Sequence, residues 1–201
     1  MTAANVDRDW DDRYRAGTTP WDSGVPSKEL QRVLQEEGIS ACRALEVGCG
    51  TGTNAVYLAQ KGFDVTAVDC VTLALDQARQ KAADAGVSVN WIEADVQNFG
   101  AGLEPFEFVF DRGCYHCCRR VDLPGYLATL QNVTRSGTRY LSLCGNANEQ
   151  TEGQGPPRVS EEEIRAELGG LFEIDQIREF RFEDPGGVPG PLGWSVLMTR
   201  K

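Results

Sequence analysis

The run Ala44-Leu45-Glu46-Val47 passes without a break into Gly48-Cys49-Gly50-Thr51-Gly52 and then into a helix-like stretch, Thr53–Lys61. A strand that turns through three glycines in five residues into a helix leaves few folds open. Glycine accepts positive φ and lets a ligand approach the backbone closely. The rest of the chain repeats the strand-then-helix rhythm. Short apolar runs recur at Val65–Val68, Val87–Ile92, Phe106–Phe110 and Tyr140–Cys144. Each is short and rich in Val, Phe, Ile or Leu, as buried strands are. Between them, Thr53–Lys61 stops at Gly62 and Thr72–Ala85 stops at Gly86, where a helix end favours left-handed backbone. Pro124 opens a third helix reaching about Val133, and Ser160-Glu161-Glu162-Glu163 is a capping box opening a fourth.

Alternating strands and helices imply a parallel sheet covered on both faces. The C-terminal end departs from that rhythm. Phe172–Phe182 and Trp194–Thr199 are both strand-like, and the link Glu183–Gly193, with four Gly and three Pro, has no room for a crossover helix. An antiparallel hairpin is expected there. The fold class is therefore α/β, a Rossmann-like three-layer sandwich. Its sheet has seven strands, five parallel plus the hairpin. Two helices precede the first strand, Val6–Ala16 and Ser27–Glu37, joined by the rigid, aromatic Gly17-Thr18-Thr19-Pro20-Trp21-Asp22-Ser23-Gly24. At 201 residues the chain suits one domain, with residues 1–40 as an N-terminal helical cap and 41–201 as the core. The polar stretch Asn146–Arg158 follows the fifth strand and reads as a mobile lid.

The loop's spacing narrows the ligand. A dinucleotide loop, G-x-G-x-x-G, needs its third glycine at position 53, which is Thr53. Glu46, two residues before the loop, would repel a pyrophosphate but suits an ammonium group. Tyr57 and Lys61 have reductase-like spacing but lie in the helix directly after the loop, which excludes that role. Asp69 ends the second strand 21 residues after Gly48, the spacing at which a carboxylate accepts ribose hydroxyls. Asp95 ends the third strand and reads either as a partner for an adenine amino group or as a turn starter.

With these residues in place the chain resembles the class I S-adenosylmethionine-dependent methyltransferases, most strongly over Leu45–Asp95. Within them it resembles the thiopurine/halide/thiol methyltransferase branch. Two features carry the narrower likeness: Trp10-x-x-x-Tyr14-x-x-Gly17-x-x-Pro20-Trp21-Asp22-x-Gly24, similar to that branch's N-terminal cap, and Phe110-Asp111-Arg112-Gly113, similar to its fourth-strand motif. The resemblance implies S-adenosylmethionine as cofactor. Trp10, Trp21 and Gly24 would shield its methionyl side, Arg112 would hold its carboxylate, Asp69 the ribose, and Asp95 with Val96 the adenine. Glu46, Gly48, Cys49, Gly50 and Cys70 complete the implied binding set. Without it, Trp10 and Trp21 read as half-buried anchors and Arg112 as a surface ion-pair partner.

Methyl transfer from a sulfonium needs an aligned nucleophile in a water-poor pocket. A thiolate or halide arrives ready, whereas a phenol, hydroxylated heterocycle or amine gains from a general base. The chain has one histidine, His116, just past the fourth strand in Gly113-Cys114-Tyr115-His116-Cys117-Cys118. It is a candidate base or substrate-orienting group, with Asp111 and Tyr115 as weaker catalytic candidates; a structural histidine is the alternative. Seven cysteines without a leader-like start read as reduced thiols. Cys49, Cys70, Cys114 and Cys144 fall at strand carboxyl ends, where they are either packing residues or thiols able to meet a soft metalloid such as arsenite. The cluster Cys114, His116, Cys117 and Cys118 resembles a zinc ligand set but lacks the second, separated pair that structural zinc draws on, so no metal site is expected.

A net charge of −10, with no cluster of Lys and Arg larger than a doublet such as Arg119-Arg120, disfavours nucleic acid and anionic membrane as partners. No apolar run reaches the ~18 residues of a membrane span. The expectation is a cytoplasmic monomer or weak homodimer. It would methylate a small molecule, with a thiol, halide or other heteroatom acceptor first. An O- or N-methyltransferase of an aromatic or heterocyclic metabolite comes second, and a metalloid methyltransferase or a non-catalytic cofactor-binding protein last.

Overall fold

A computed structural model describes residues 10–150, 155–183 and 189–201. In chain order the elements are α1 (Trp10–Arg15), α2 (Lys28–Glu36), β1 (Arg43–Val47), α3 (Thr53–Gln60), β2 (Asp64–Asp69), α4 (Thr72–Ala85), β3 (Asn90–Glu93) and β4 (Phe108–Arg112). They continue with α5 (Cys114–Val133), β5 (Arg139–Asn146), β6 (Arg158–Val159), α6 (Glu161–Leu168), β7 (Phe172–Glu183) and β8 (Pro189–Arg200). The strand order is β3-β2-β1-β4-β5-β8-β7, with β6 paired to the end of β5. Strands β3 to β5 run parallel, and β8 enters antiparallel between β5 and β7. The expected five parallel strands and terminal hairpin are present. The eighth strand, β6, is two residues long, too short to leave an apolar run in the sequence.

Side chains alternate along the strands and so divide the core into two layers. Leu45, Val47, Val109, Tyr140, Val196 and Met198 face α5 and α6, where they meet Tyr126, Leu130, Val133, Ile164 and Leu168. Ala44, Phe108, Phe110, Leu141, Leu143 and Leu197 face the other way, against Leu30, Val33, Leu58 and Leu75 of α2, α3 and α4. Helix α2 is thus part of one layer, capped by Ser27, whose side chain accepts from the Leu30 N–H at 3.4 Å. Of the described N-terminal residues, those between Trp10 and Val25 line the ligand end of the sheet and α2 does not. The expected start of α1, residues 6–9, lies outside the described residues, as do residues 151–154 of the expected lid. The flanks of that lid are tied down: Asn146 and Asn148 donate side-chain bonds to Glu179 at 3.1 and 2.9 Å, and the Arg158 Nη1 donates to the Glu149 carbonyl at 2.9 Å.

After β3 the chain crosses back to place β4 beside β1, so strand order reverses there. Crevices at such reversals, outside the strand carboxyl ends, are where open α/β sheets bind ligands. Only Gly113 separates β4 from α5, so the helix expected from Pro124 onward starts ten residues earlier, at Cys114. Its course breaks at Asp122 (φ −151°, ψ 81°), and the Asp122 carboxylate then accepts the Gly125 N–H at 3.0 Å to start the second half, with Pro124 in its first turn.

Candidate active site

The carboxyl ends of β1, β2 and β4 open onto a cleft of about 650 Å³. Its floor is the glycine loop. Gly48 (φ 65°) and Gly50 (φ 53°) hold left-handed backbone, and a Cβ on either would stand 2.9 Å from the Cys114 side chain or 2.8 Å from the Tyr14 hydroxyl. Glycine is therefore required twice over, by backbone and by space. Asp69 holds the loop in place: its Oδ2 accepts the Gly50 N–H at 2.8 Å and its Oδ1 the Val71 N–H at 3.0 Å. Burial pushes the Asp69 carboxyl above its ordinary range, opposed by those amides. Each carboxylate oxygen has a second lone pair, so these bonds leave room for hydroxyl donors.

The N-terminal segment forms the roof. Trp21 meets Trp10 and Tyr14 edge-on at 5.3 and 5.9 Å, and donates from Nε1 to the Tyr14 hydroxyl at 3.2 Å. The roof is latched to the floor: the Thr51 hydroxyl donates to Asp22 Oδ2 at 2.7 Å, and Lys81 Nζ donates to Thr51 Oγ1 at 2.9 Å. Arg112, at the end of β4, donates from Nη1 to the Trp21 carbonyl at 2.7 Å and lies 3.6 Å from Glu183 Oε2. Burial lowers its guanidinium, and Glu183 opposes that shift.

Glu46 is the outlier in this arrangement. Its side chain is 2% exposed, its Oε1 takes a weak bond from Asn54 Nδ2 at 3.4 Å, and its Oε2 is buried with no hydrogen-bond partner. Burial pushes its carboxyl up to about 8. A buried acceptor without a partner, next to a glycine cradle, is chemically suited to a cationic donor.

Residues 44–137 match the family described as the methyltransferase domain. A 2-heptyl-1-hydroxyquinolin-4(1H)-one methyltransferase of Mycobacteroides abscessus is 28% identical over 168 residues, covering 83% of this chain and 74% of that protein. A probable thiol methyltransferase of Arabidopsis thaliana is 25% identical over 183 residues, 88% of this chain and 79% of its own. Among solved structures, the 1,6-didemethyltoxoflavin-N1-methyltransferase of Burkholderia thailandensis, with bound S-adenosylhomocysteine, superposes with a TM-score of 0.72 at 20% identity, covering 96% of this chain and 86% of that one. These matches make the chain an S-adenosylmethionine-dependent methyltransferase with the fold of the class I enzymes.

The methyltransferase's cleft brings together Trp10, Trp21, Glu46, Gly48, Cys49, Gly50, Asp69, Cys70, Asp95, Val96 and Arg112. Gly24 stands apart from the lining. Its N–H donates to Asp22 Oδ1 at 3.2 Å and a Cβ there would meet nothing, so its place in the chain is a turn between the cleft-facing Ser23 and Val25. Asp95 lines the cleft while its Oδ1 accepts the Gln97 N–H at 2.9 Å, the turn-starting contact. The cofactor fits the donor set: an orphaned carboxylate for an ammonium, a cradle of bare backbone, and a strand-end carboxylate with spare lone pairs.

Two catalytic candidates lie outside the cleft. Asp111 is fully buried, and its Oδ1 accepts the Cys114 and Tyr115 N–H groups at 3.0 and 3.1 Å while Oδ2 accepts the Tyr140 hydroxyl at 2.6 Å. It anchors the first turn of α5 and does not contact Arg112 through any of these bonds. Tyr115 points the other way, donating to Glu167 Oε2 at 2.6 Å under α6. Burial and that carboxylate push its phenol well up. His116 does line the cleft, but its Nδ1 accepts the Gly145 N–H at 2.9 Å. The neutral ring then carries its proton on Nε2. Burial, with Arg112 and Arg119 nearby, holds its pKa down to about 3. It is a fixed donor with no free lone pair for a proton.

Of the four cysteines expected on a shared rim, Cys49, Cys70 and Cys114 line the cleft and Cys144 does not. Cys144 is fully buried on the α5/α6 face of β5, because strand alternation turns it inward. Sequence reading missed Gln97, whose Nε2 donates to the Cys118 and Asp122 carbonyls at 3.3 Å and so supports the break in α5. It also missed Thr51, Lys81 and Glu183. Their partners lie between 28 and 155 residues away, and no local pattern marks them.

Proposed function

We propose that this methyltransferase transfers the methyl group of S-adenosylmethionine to a small molecule whose acceptor heteroatom reaches the cleft already ionised, a thiolate, halide or comparable soft anion. One observation carries the reading: His116 is held as an Nε2 donor and has no lone pair for a proton. Of the other acids of the cleft, Glu46 is the one proposed to hold the cofactor's ammonium, and the rest accept protein donors. Asp69 and Asp95 accept backbone amides, Asp22 accepts from Thr51 and Gly24, and Glu183 accepts the Lys28 N–H at 2.7 Å while pairing with Arg112. A donor facing an anion helps to orient it, whereas removing a proton from a neutral acceptor needs a base.

When bound, the cofactor supplies an electrophilic methyl carbon on a sulfonium. In the proposed pose Glu46 would hold the ammonium, Arg112 the carboxylate, and Asp69 the ribose hydroxyls. Asp95 and Val96 would meet the adenine, and the backbone of Gly48 to Gly50 would lie along the cofactor's length. Trp10 and Trp21 would exclude water from the methionyl side. Arg112 currently bonds the roof at the Trp21 carbonyl, so the same guanidinium would couple cofactor and roof.

The similarity to a probable thiol methyltransferase supports a soft acceptor. The relative acting on a hydroxyquinolinone supports the second reading, an O- or N-methyltransferase of a heterocycle, with Val25, Val121 and Phe182 as apolar walls of the cleft. The test is an acceptor panel of thiols, halides and hydroxylated heterocycles, with methylated product read by mass spectrometry. Product from thiols or halides is expected. Turnover confined to heterocycles of high pKa would replace this reading with the second. Tight cofactor binding with no product from any acceptor would replace it with a non-catalytic role.

A further inference from the structure

Three thiols on the cleft wall, Cys114, Cys117 and Cys118, have no part in the proposed cofactor pose. They fall in the first turn and a half of α5. Residues four apart on a helix share a face, and the sulfurs of Cys114 and Cys118 lie 3.7 Å apart. We propose that Cys114 and Cys118 form a dithiol site for a trivalent, thiophilic metalloid compound of the organoarsenic(III) oxide class, and that filling it opposes cofactor binding.

The spacing supports two-point capture. Two sulfurs bonded at ~2.3 Å to one tetrahedral centre stand ~3.8 Å apart, and a pyramidal centre with similar bonds needs them slightly closer. The pair is therefore set for chelation with little movement. The class of ligand follows from what surrounds it. Among the described residues no group of three or more His, Cys, Asp or Glu is arranged to hold a metal ion. A divalent ion seeking four ligands would find two. An organoarsenic(III) oxide needs only two thiols, because carbon fills its third position, and soft sulfur suits it.

The step balances without an oxidant. The arsenic–oxygen bonds break, two arsenic–sulfur bonds form, and both thiol protons leave with the oxygen as one water. Arsenic stays trivalent. The contact with Cys118 and burial keep Cys114 protonated in the free site, so half-buried Cys118 attacks first and Cys114 closes the ring as its proton passes to the departing oxygen. Cys118 is half-buried and faces entry from the cleft, with Cys114 buried behind it. The link to the cofactor is steric. Cys114 packs so closely on the glycine loop that a Cβ at Gly48 would stand 2.9 Å from its Cβ and Sγ. A centre bonded to that sulfur must press on the loop.

The site goes beyond methyl transfer and is tested without turnover. Full-length protein is incubated with phenylarsine oxide and its intact mass measured. One adduct per chain is expected, equal to the probe less one water, reversed by a dithiol but not by a monothiol. It should disappear in Cys118→Ser and Cys114→Ser and persist in Cys117→Ser and Cys70→Ser. Cys118 is partly exposed, so Cys118→Ser carries the test should Cys114→Ser fail to fold. Calorimetric affinity for S-adenosylhomocysteine should fall at least tenfold in the adduct. No adduct on the folded chain, an adduct surviving Cys118→Ser, or one lost in Cys70→Ser or Cys117→Ser would overturn the pairing. Unchanged cofactor affinity in the adduct would overturn the coupling.

Discussion

Replacing Glu46 by Gln should make the ligand-free protein more stable at alkaline pH while weakening its hold on the cofactor. Burial raises the Glu46 carboxyl from its ordinary 4.5 to about 8. A raised carboxyl means that the folded chain binds more protons than the unfolded chain between those values, so stability falls as pH rises from 4.5 to about 8. At ~1.4 kcal/mol per pH unit the loss amounts to ~5 kcal/mol by pH 8. An uncharged, nearly isosteric amide avoids it. Even a third of that figure would raise the melting temperature of Glu46→Gln by at least ~3 °C relative to the native protein at pH 9, and the difference should vanish near pH 4.5. Cofactor binding should move the opposite way. A charge-assisted bond to an ammonium contributes ~1.5–3 kcal/mol, so Glu46→Gln should bind S-adenosylhomocysteine roughly 10- to 150-fold more weakly at pH 9. In the native protein that affinity should drop about tenfold per pH unit below pH 8, because the proton must leave Glu46 first. The paired assays are scanning fluorimetry across pH and calorimetry with S-adenosylhomocysteine. Equal affinity in Glu46→Gln and native protein, with the same pH dependence, would refute the assignment of Glu46 to the ammonium.

Asp69→Ala should abolish measurable cofactor binding and also lower the melting temperature, since the Gly50 and Val71 N–H groups lose their acceptor; calorimetry and a thermal melt separate the two effects. Tyr140→Phe should cost ~1.5–3 kcal/mol in denaturant unfolding by removing a hydroxyl bond to buried Asp111, yet leave cofactor affinity within about twofold, as expected if Asp111 supports α5 instead of touching ligand. His116→Ala should destabilise the fold by ~1–3 kcal/mol through the unpaired Gly145 N–H. With a thiolate acceptor, the shape of its pH–rate profile should match the native one between pH 5.5 and 8.5, because a histidine held at about 3 has no step there. A Gly48→Ala chain should fold less stably and lose cofactor affinity, as its methyl group meets Cys114.

How much of this was readable beforehand depends on the range of each interaction. The glycine loop, the capping box at Ser160 and the C-terminal hairpin are local patterns, and each lies where its residues indicate. Asp69 ends β2, as its spacing indicates, but its hold on the Gly50 and Val71 amides is a task no spacing reveals. Asp111 carries no local signature of its role. An acid at a strand end reads equally as a ligand contact or as the anchor of the next helix, and only the start of α5 at Cys114 decides for the anchor. From its place after β4, His116 reads as a base, a substrate-orienting group or a structural histidine; the amide that fixes its tautomer comes from Gly145, 29 residues away. Glu183 and Arg112 meet across the sheet from the hairpin end, a pairing set by β8 entering between β5 and β7.

Ionised acceptors react without help from an enzyme base, and that statement has a direct test. At saturating S-adenosylmethionine, kcat/KM is measured against pH for a series of thiols, from an aryl thiol ionising below neutrality to an alkyl thiol ionising at ~8.5 or above. Each profile should rise to a plateau with its midpoint at that thiol's own pKa. A midpoint common to all the thiols, set by a group of the protein, would mean that the methyltransferase supplies a base after all.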